Sequence, residues 1–311
     1  MQGHISKDNT IRAIWRSIKR DKYLLVLISP VVVYYIIFHY VPMYGALIAF
    51  KDYNPGIGFY NSPWVGFKWF KQFFESFYFW RLIRNAILLN IYGIIFGFPI
   101  PIIFALLLNE VSDGFFKRSI QTISYLPHFI SLVVVVGMMV NFLSPVDGIV
   151  NMFLKSIGKE PINFMGDPRW FRFLYISSGI WQEFGWSSII YLAALSAIDP
   201  TLYDAAKVDG ANRWQQMLNI TLPGIMPTII ILLILNVGHL LSVGFEKIIL
   251  MYQPMTYEVA DVISTYVYRR GVLGADYSFA AAVGLFNSII NFMLLVTFNR
   301  ISKRLTEISL W

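Results

Sequence analysis

The segment "YDAAKVDGANRWQQMLNITLP", Tyr203–Pro223, places Asp204, Lys207, Asp209 and Arg213 between two strongly apolar runs. Its local chemistry reads as two short helices meeting at an angle. Asp199 is a good N-cap and Pro200 stands at the first helical position. A helix Pro200–Asp209 is expected, with Gly210 stopping it in the left-handed conformation. Asn212 can cap a second short helix carrying Trp214, Met217 and Leu218, which Leu222–Pro223 is expected to end before the chain enters the next apolar run. A bare connection would need only a few residues. A rigid polar elbow suits docking to a partner, or else it clamps the neighbouring helices.

The surroundings of the elbow point to a lipid bilayer. The 311 residues are 57% hydrophobic, 17% aromatic and only 14% charged, against about 25% charged in soluble domains. Without a cysteine there is no disulfide and no thiolate metal site. The net charge of +7 has no nucleic-acid motif to go with it, and basic residues flanking membrane spans account for it better.

A span needs roughly 20 mostly apolar residues. Stretches poor in charge place six span cores near 24–40, 86–108, 123–143, 173–195, 225–245 and 278–299. The predicted fold class is therefore an all-α polytopic membrane protein with six transmembrane helices. Its organisation reads as a basic segment 1–22, a first span 23–50, a segment 51–84, a five-span core 85–300 containing the elbow 199–223, and a tail 301–311. The lead of Arg12, Arg16, Lys19, Arg20 and Lys22 resembles a signal-peptide n-region, but the apolar stretch after it is long and ends in "VPMYG", so an uncleaved span is expected. The same lead argues for a cytoplasmic N-terminus, which puts the elbow and the C-terminus in the cytoplasm too. Lys and Arg divide thirteen to twelve between the inner and outer sides, and the outer segments are the longer ones.

The first outer segment carries "WVGFKWFKQFFESFYFW", Trp64–Trp80. It reads as an aromatic helix lying in the membrane interface, with Lys68, Lys71 and Glu75 toward water, or as one packed on neighbouring spans. Gly97, Pro99 and Pro101 predict a kink in the second span.

Polar residues at bilayer depth usually face a cavity or a partner helix. Glu183 is the only full charge deep in a span, and Gln182 and Trp186 beside it share a helical face. An aromatic face with an amide and an acid suits a sugar, and the same acid could equally be an interhelical hydrogen-bond post. Asn236 with His239 and Asn287 with Asn291 are expected to form further polar faces, lining a cavity or joining helices. His128 and Asn141 lie nearer span ends and are weaker candidates. Gly185, Gly238 and Gly244 are expected to let helices approach closely.

Chemistry is missing where an enzyme would need it. There is no G-x-x-x-x-G-K-[ST] loop, no metal spacing among the histidines at 4, 39, 128 and 239, and no catalytic constellation. The chain is expected to be a non-catalytic subunit that holds no cofactor.

The elbow resembles the EAA loop of ABC importer permeases of the type I class. Asp204-Ala205-Ala206, Asp209-Gly210-Ala211 and Leu222-Pro223 match its pattern, with Asp204 where glutamate is usual. "YVPMYGALIAFKDYNP", "FGFPIPIIFALLLNE", "QTISYLPHFIS", "EPINFMGDPRWFR", "WQEFGWSSIIYLAALSAIDP" and the final "LW" are similar to the subfamily of complex-oligosaccharide and polysaccharide-fragment permeases. The resemblance implies that the elbow, Arg213 included, is a coupling helix seated in a cleft of an ATPase subunit. It implies a multi-pass cell-membrane location and an oligosaccharide substrate. The implied partners are a second homologous permease, two ABC ATPase subunits that use ATP and Mg, and an extracellular solute-binding protein, with no nucleic acid. An importer permease for another solute such as peptides, or an ion-coupled carrier subunit, are the alternatives; the second would need acids in several spans.

Overall fold

The computed structural model describes residues 19–306 and 309–310, so Arg12, Arg16 and Trp311 lie outside the described residues. Among the described residues the chain is helical, with a lone bridge between Lys51 and Trp64. Helix α1 (Lys22–Phe50) buries nothing before Ala49. A short α2 (Lys68–Phe74) leads to α3 (Phe79–Asn109), then to α4 (Phe115–Phe129) and α5 (Leu132–Phe142). After α6 (Ile149–Ser156) comes the long α7 (Pro168–Ser196). The elbow helix α8 (Pro200–Val208) precedes α9 (Arg213–Gly238). Three short helices, α10 (Phe245–Met251), α11 (Tyr257–Ala260) and α12 (Ile263–Val267), lead to α13 (Tyr277–Thr306).

Helices α1, α3, α9 and α13 are long and apolar enough to cross a membrane, and the α4–α5 pair would count as a fifth span. The 29 residues of α7 reach about 43 Å at 1.5 Å per residue. Its Arg169, Arg172, Gln182 and Glu183 dilute its apolar character.

Four of the prolines share one local device. A π turn at Ile36–Tyr40 precedes Pro42, another at Gly93–Gly97 precedes Pro99 and Pro101, and a third at Met217–Thr221 precedes Pro223. A proline lacks the N–H of the helix ladder and crowds the carbonyl four residues back. The wider turn relieves that crowding. Pro223 therefore does not end the second elbow helix, contrary to the sequence expectation: the helix runs unbroken from Arg213 into the span.

Three further expectations change. The run 123–143 is not one helix, because α4 and α5 meet at 95°. Pro127 lies in the closing turn of α4, and Ser131 caps α5 by accepting from Val134 N. Helix α9 stops at Gly238, so His239 lies past its end and off the helical face of Asn236. The aromatic stretch is two helices rather than one. Phe73 is buried against Phe79, Phe279 and Phe286, whereas Phe67, Phe77 and Trp80 remain exposed. The second span accordingly begins at Phe79, six residues before the predicted core boundary at 85.

Two apolar cores hold the bundle. The larger joins Phe73, Leu82, Leu89, Phe171, Ile248 and Phe279 at the end away from the elbow. A smaller one, Ile102, Ala105, Tyr191, Leu195 and Ile225, locks α3, α7 and α9 beside the elbow. Close approach is set by glycine. A Cβ on Gly185 would overlap the Ser124 carbonyl of α4, and one on Gly238 would stand 2.6 Å from Leu295 of α13. At the far end, buried Asp261 accepts from Arg269 at 2.9 and 2.6 Å, from Arg81 at 3.4 Å and from Thr265 at 2.7 Å. Nearby Arg84 donates to Glu258 at 2.8 Å, which holds that carboxyl below its ordinary range.

Candidate functional site

The elbow is over-determined by its caps. Asp199 accepts from Thr201 N at 2.9 Å, and Pro200 follows at the first helical position. Thr201 bonding through its backbone and then its side chain holds the Asp199 carboxyl below its ordinary range. At the other end of α8, Ala211 N donates to Ala206 O at 2.9 Å and Gly210 N to Lys207 O at 3.1 Å. These are the two bonds of a Schellman stop, and Gly210 takes the φ of +77° that the motif needs. Asn212 and Gln215 then form a reciprocal capping box at 3.0 and 2.8 Å.

Two contacts tie the elbow to the bundle. The Tyr203 hydroxyl lies 3.0 Å from that of Thr221, which is buried in the π turn, so the two arms are strapped together. Arg213 reaches Glu110 at the end of α3, 3.4 Å away. The rest of the elbow faces outward. Among the described residues Asp204 pairs only with Lys207; Ala205 and Asp209 are exposed, Ala206 and Ala211 are half-buried, and Leu222 and Pro223 lie inside α9. Leu202, Val208, Trp214 and Leu218 are also exposed, Val208 by 88%.

Above the elbow a cavity of about 1060 Å³ opens between α3, α7, α9 and α10. Gln182, Glu183, Trp186 and Asn236 border it. Gln182 is buried and donates to Ile130 O at 2.8 Å, bracing the bend between α4 and α5. Glu183 Oε2 lies 2.9 Å from Nδ1 of His128, whose ring stacks on Trp186 with centroids 4.5 Å apart and planes within 1°. The closing turn of α4 is thus clasped to the middle of α7.

The other predicted pairs do different work. Asn287 and Asn291 donate to Ser242 Oγ at 3.4 and 2.8 Å, and Asn291 also accepts from Leu241 N at 3.1 Å. They hold the irregular chain after α9 rather than bordering the cavity. His239 is not on the cavity wall either. Two residues gain importance from the structure. His128 meets Glu183 across 55 residues of sequence. Lys247, between the predicted span cores 225–245 and 278–299, turns inward and is 7% exposed on the cavity wall. Its partner is the Tyr175 carbonyl at 2.9 Å, a tertiary meeting that no local pattern signals. Among the described residues no group of three His, Cys, Asp or Glu side chains is placed to hold a metal.

Residues 97–307 match the family described as "binding-protein-dependent transport system inner membrane component". Protein LplB of Bacillus subtilis (strain 168) is 45% identical over 291 residues, covering 94% of this chain and 92% of that protein. The polygalacturonan/rhamnogalacturonan transport system permease protein YteP of the same organism is 44% identical over 288 residues, 93% and 90% of the two chains. Among solved structures, a bacterial alginate ABC transporter in complex with alginate pentasaccharide-bound periplasmic protein superimposes with a TM-score of 0.87 at 48% identity, covering 95% of this chain and 99% of that one.

Proposed function

This chain belongs to the binding-protein-dependent transport system inner membrane component family, the non-catalytic permease subunits of ABC importers, and from that premise we propose that it forms half of a translocation path for oligosaccharides. It is a multi-pass protein of the cell membrane. Its proposed partners are a second homologous permease, two ATPase subunits and an extracellular binding protein that delivers the saccharide. ATP and Mg belong to the ATPases.

The observation that carries this reading is the continuity between cavity and elbow. Helix α7 bears Gln182, Glu183 and Trp186 on the cavity wall and ends at Ser196, four residues before α8 begins. Helix α9 leaves the elbow and brings Leu232 and Asn236 to the same wall. Both walls are therefore joined to one rigid handle. In the proposed cycle, ATP-driven closure of the ATPases carries the elbow, with Asp204–Ala211 and Arg213 at the contact. The walls then tilt, the cavity opens outward to receive saccharide, and hydrolysis restores the inward-open state.

The topology that goes with this reading has six spans, with α7 as the one whose polar residues reduce its hydropathy, and with both termini and the elbow in the cytoplasm. Since the chain has no cysteine, single introduced cysteines report sidedness cleanly. Cysteine at position 208 should react with a membrane-impermeant maleimide only in inside-out vesicles. Reaction in right-side-out cells would refute the orientation. For the function, the importer is reconstituted with its partners and offered labelled saccharides and peptides. Saccharide uptake that depends on ATP and on the binding protein is expected, and uptake of peptides alone would overturn the assignment to sugars.

A further inference from the structure

The cavity contains a cation to which the elbow mechanism assigns no task. Lys247 Nζ donates to Tyr175 O at 2.9 Å and lies 4.9 Å from the Tyr175 ring centroid. An ammonium has three hydrogens to donate, so two remain after the carbonyl. Among the described residues Lys247 forms no ion pair within 4 Å. Gly179 preserves its space, because a Cβ there would stand 3.1 Å from Nζ. Intramembrane cations are costly and usually face a cavity or a partner. Here Lys247 faces the wall that also carries Glu183 and Glu246.

The charges are ordered along α7. Lys247 stands at the level of Gly179, and Glu183 is four residues, about 6 Å, further along the same face. His128 occupies one oxygen of Glu183, which leaves the other to accept from a hydroxyl. Trp186 borders the cavity beside it. Resting on the reading of this cavity as the solute path, we propose that Lys247 receives the carboxylate of one acidic sugar unit while Glu183 takes hydroxyls of a neutral neighbouring unit. A second carboxylate at Glu183 would meet like charge on the cavity wall. The cavity therefore favours a saccharide in which acidic and neutral units alternate over a uniform chain of uronates.

The test uses the complete importer in proteoliposomes with its binding protein. Three probes are compared: a tetrasaccharide of alternating rhamnose and galacturonate, its methyl ester, and tetragalacturonate. Uptake by each variant is divided by wild-type uptake of the same probe, so the preference of the binding protein cancels. Lys247→Met should reduce uptake of the alternating acid about tenfold, the effect of losing a charge-assisted hydrogen bond, and uptake of its ester less than about twofold. Glu183→Gln should raise uptake of tetragalacturonate relative to the alternating acid. Assembly of each variant is checked by size-exclusion chromatography, and Lys247→Arg, which keeps the charge, should retain the acid preference if the Met variant fails to assemble. Equal ratios for acid and ester, with saccharide uptake intact, would overturn the role of Lys247 and leave the transport reading standing. Failure of wild type to move any of the three probes while it moves a neutral saccharide would overturn only the role of Lys247, and uptake of a non-saccharide solute alone would overturn both.

Discussion

Substitution at Gly210 separates the shape of the elbow from its surface chemistry. The residue has φ +77°, and a Cβ built on it meets nothing within 4 Å. Added bulk therefore costs only the left-handed backbone term, about 1–2 kcal/mol for alanine. That is roughly a 5- to 30-fold shift in the equilibrium between bent and unbent elbow. Asparagine tolerates this conformation better and should cost less. Proline cannot adopt it, because its ring holds φ near −65°, and it also deletes the Gly210 N–H bond to Lys207 O of 3.1 Å, for a cost of about 3 kcal/mol or more. The assay is saccharide imported per ATP hydrolysed by the reconstituted complex. The coupling ratio should fall in the order Gly, Asn, Ala, Pro, with Gly210→Pro hydrolysing ATP to no effect. A wild-type ratio in Gly210→Pro, with the protein inserted and assembled, would refute the idea that the bend transmits the stroke.

The close contact of α4 with α7 predicts that Gly185→Leu overpacks the interface by at least about 1–3 kcal/mol and lowers the melting temperature of the detergent-solubilised complex. Gly137→Ala, mid-helix in α5 with open space around it, should instead raise stability by about 0.5–1 kcal/mol; equal melting of the two variants would refute the packing role. At the far end, Asp261→Ala leaves Arg269 and Arg81 without their buried carboxylate and should cost about 3 kcal/mol. Adding Arg269→Met should recover part of that loss, and strict additivity of the two changes would argue against the pairing.

What was legible in the sequence was local. The caps at Asp199 and Asn212 and the stop at Gly210 depend on neighbours within a few residues, so their geometry follows from residue type. Charge-poor runs marked the apolar helices for the same reason. Two of the misreadings share a cause in the prolines. Pro127 contributes to a 95° bend, whereas Pro223 is absorbed by a π turn, and which outcome occurs depends on packing around the helix rather than on the proline itself. The site was half readable. Gln182 and Glu183 stood out as polar residues in an apolar run, with Trp186 as an aromatic on the face of Gln182. His128 and Lys247 acquire meaning only from partners 55 and 72 residues away. Asn287 and Asn291 were visible as polar, yet nothing in their spacing distinguishes a cavity wall from a bracket for Ser242.

The tight meeting of Gly185 with Ser124 has a mechanical consequence. It falls between a longer arm of α7 running to Pro168, about 26 Å, and a shorter one running to Ser196, about 16 Å. A rod pivoting there would behave as a see-saw, its far tip moving opposite to the tip beside the elbow and about one and a half times as far. One push at the short end would then shut one mouth while widening the other, with the fulcrum close to Glu183. Spin labels at the two tips, followed by pulsed electron resonance through the ATP cycle, should report displacements of opposite sense; movement in the same direction would mean that the rod slides rather than rocks.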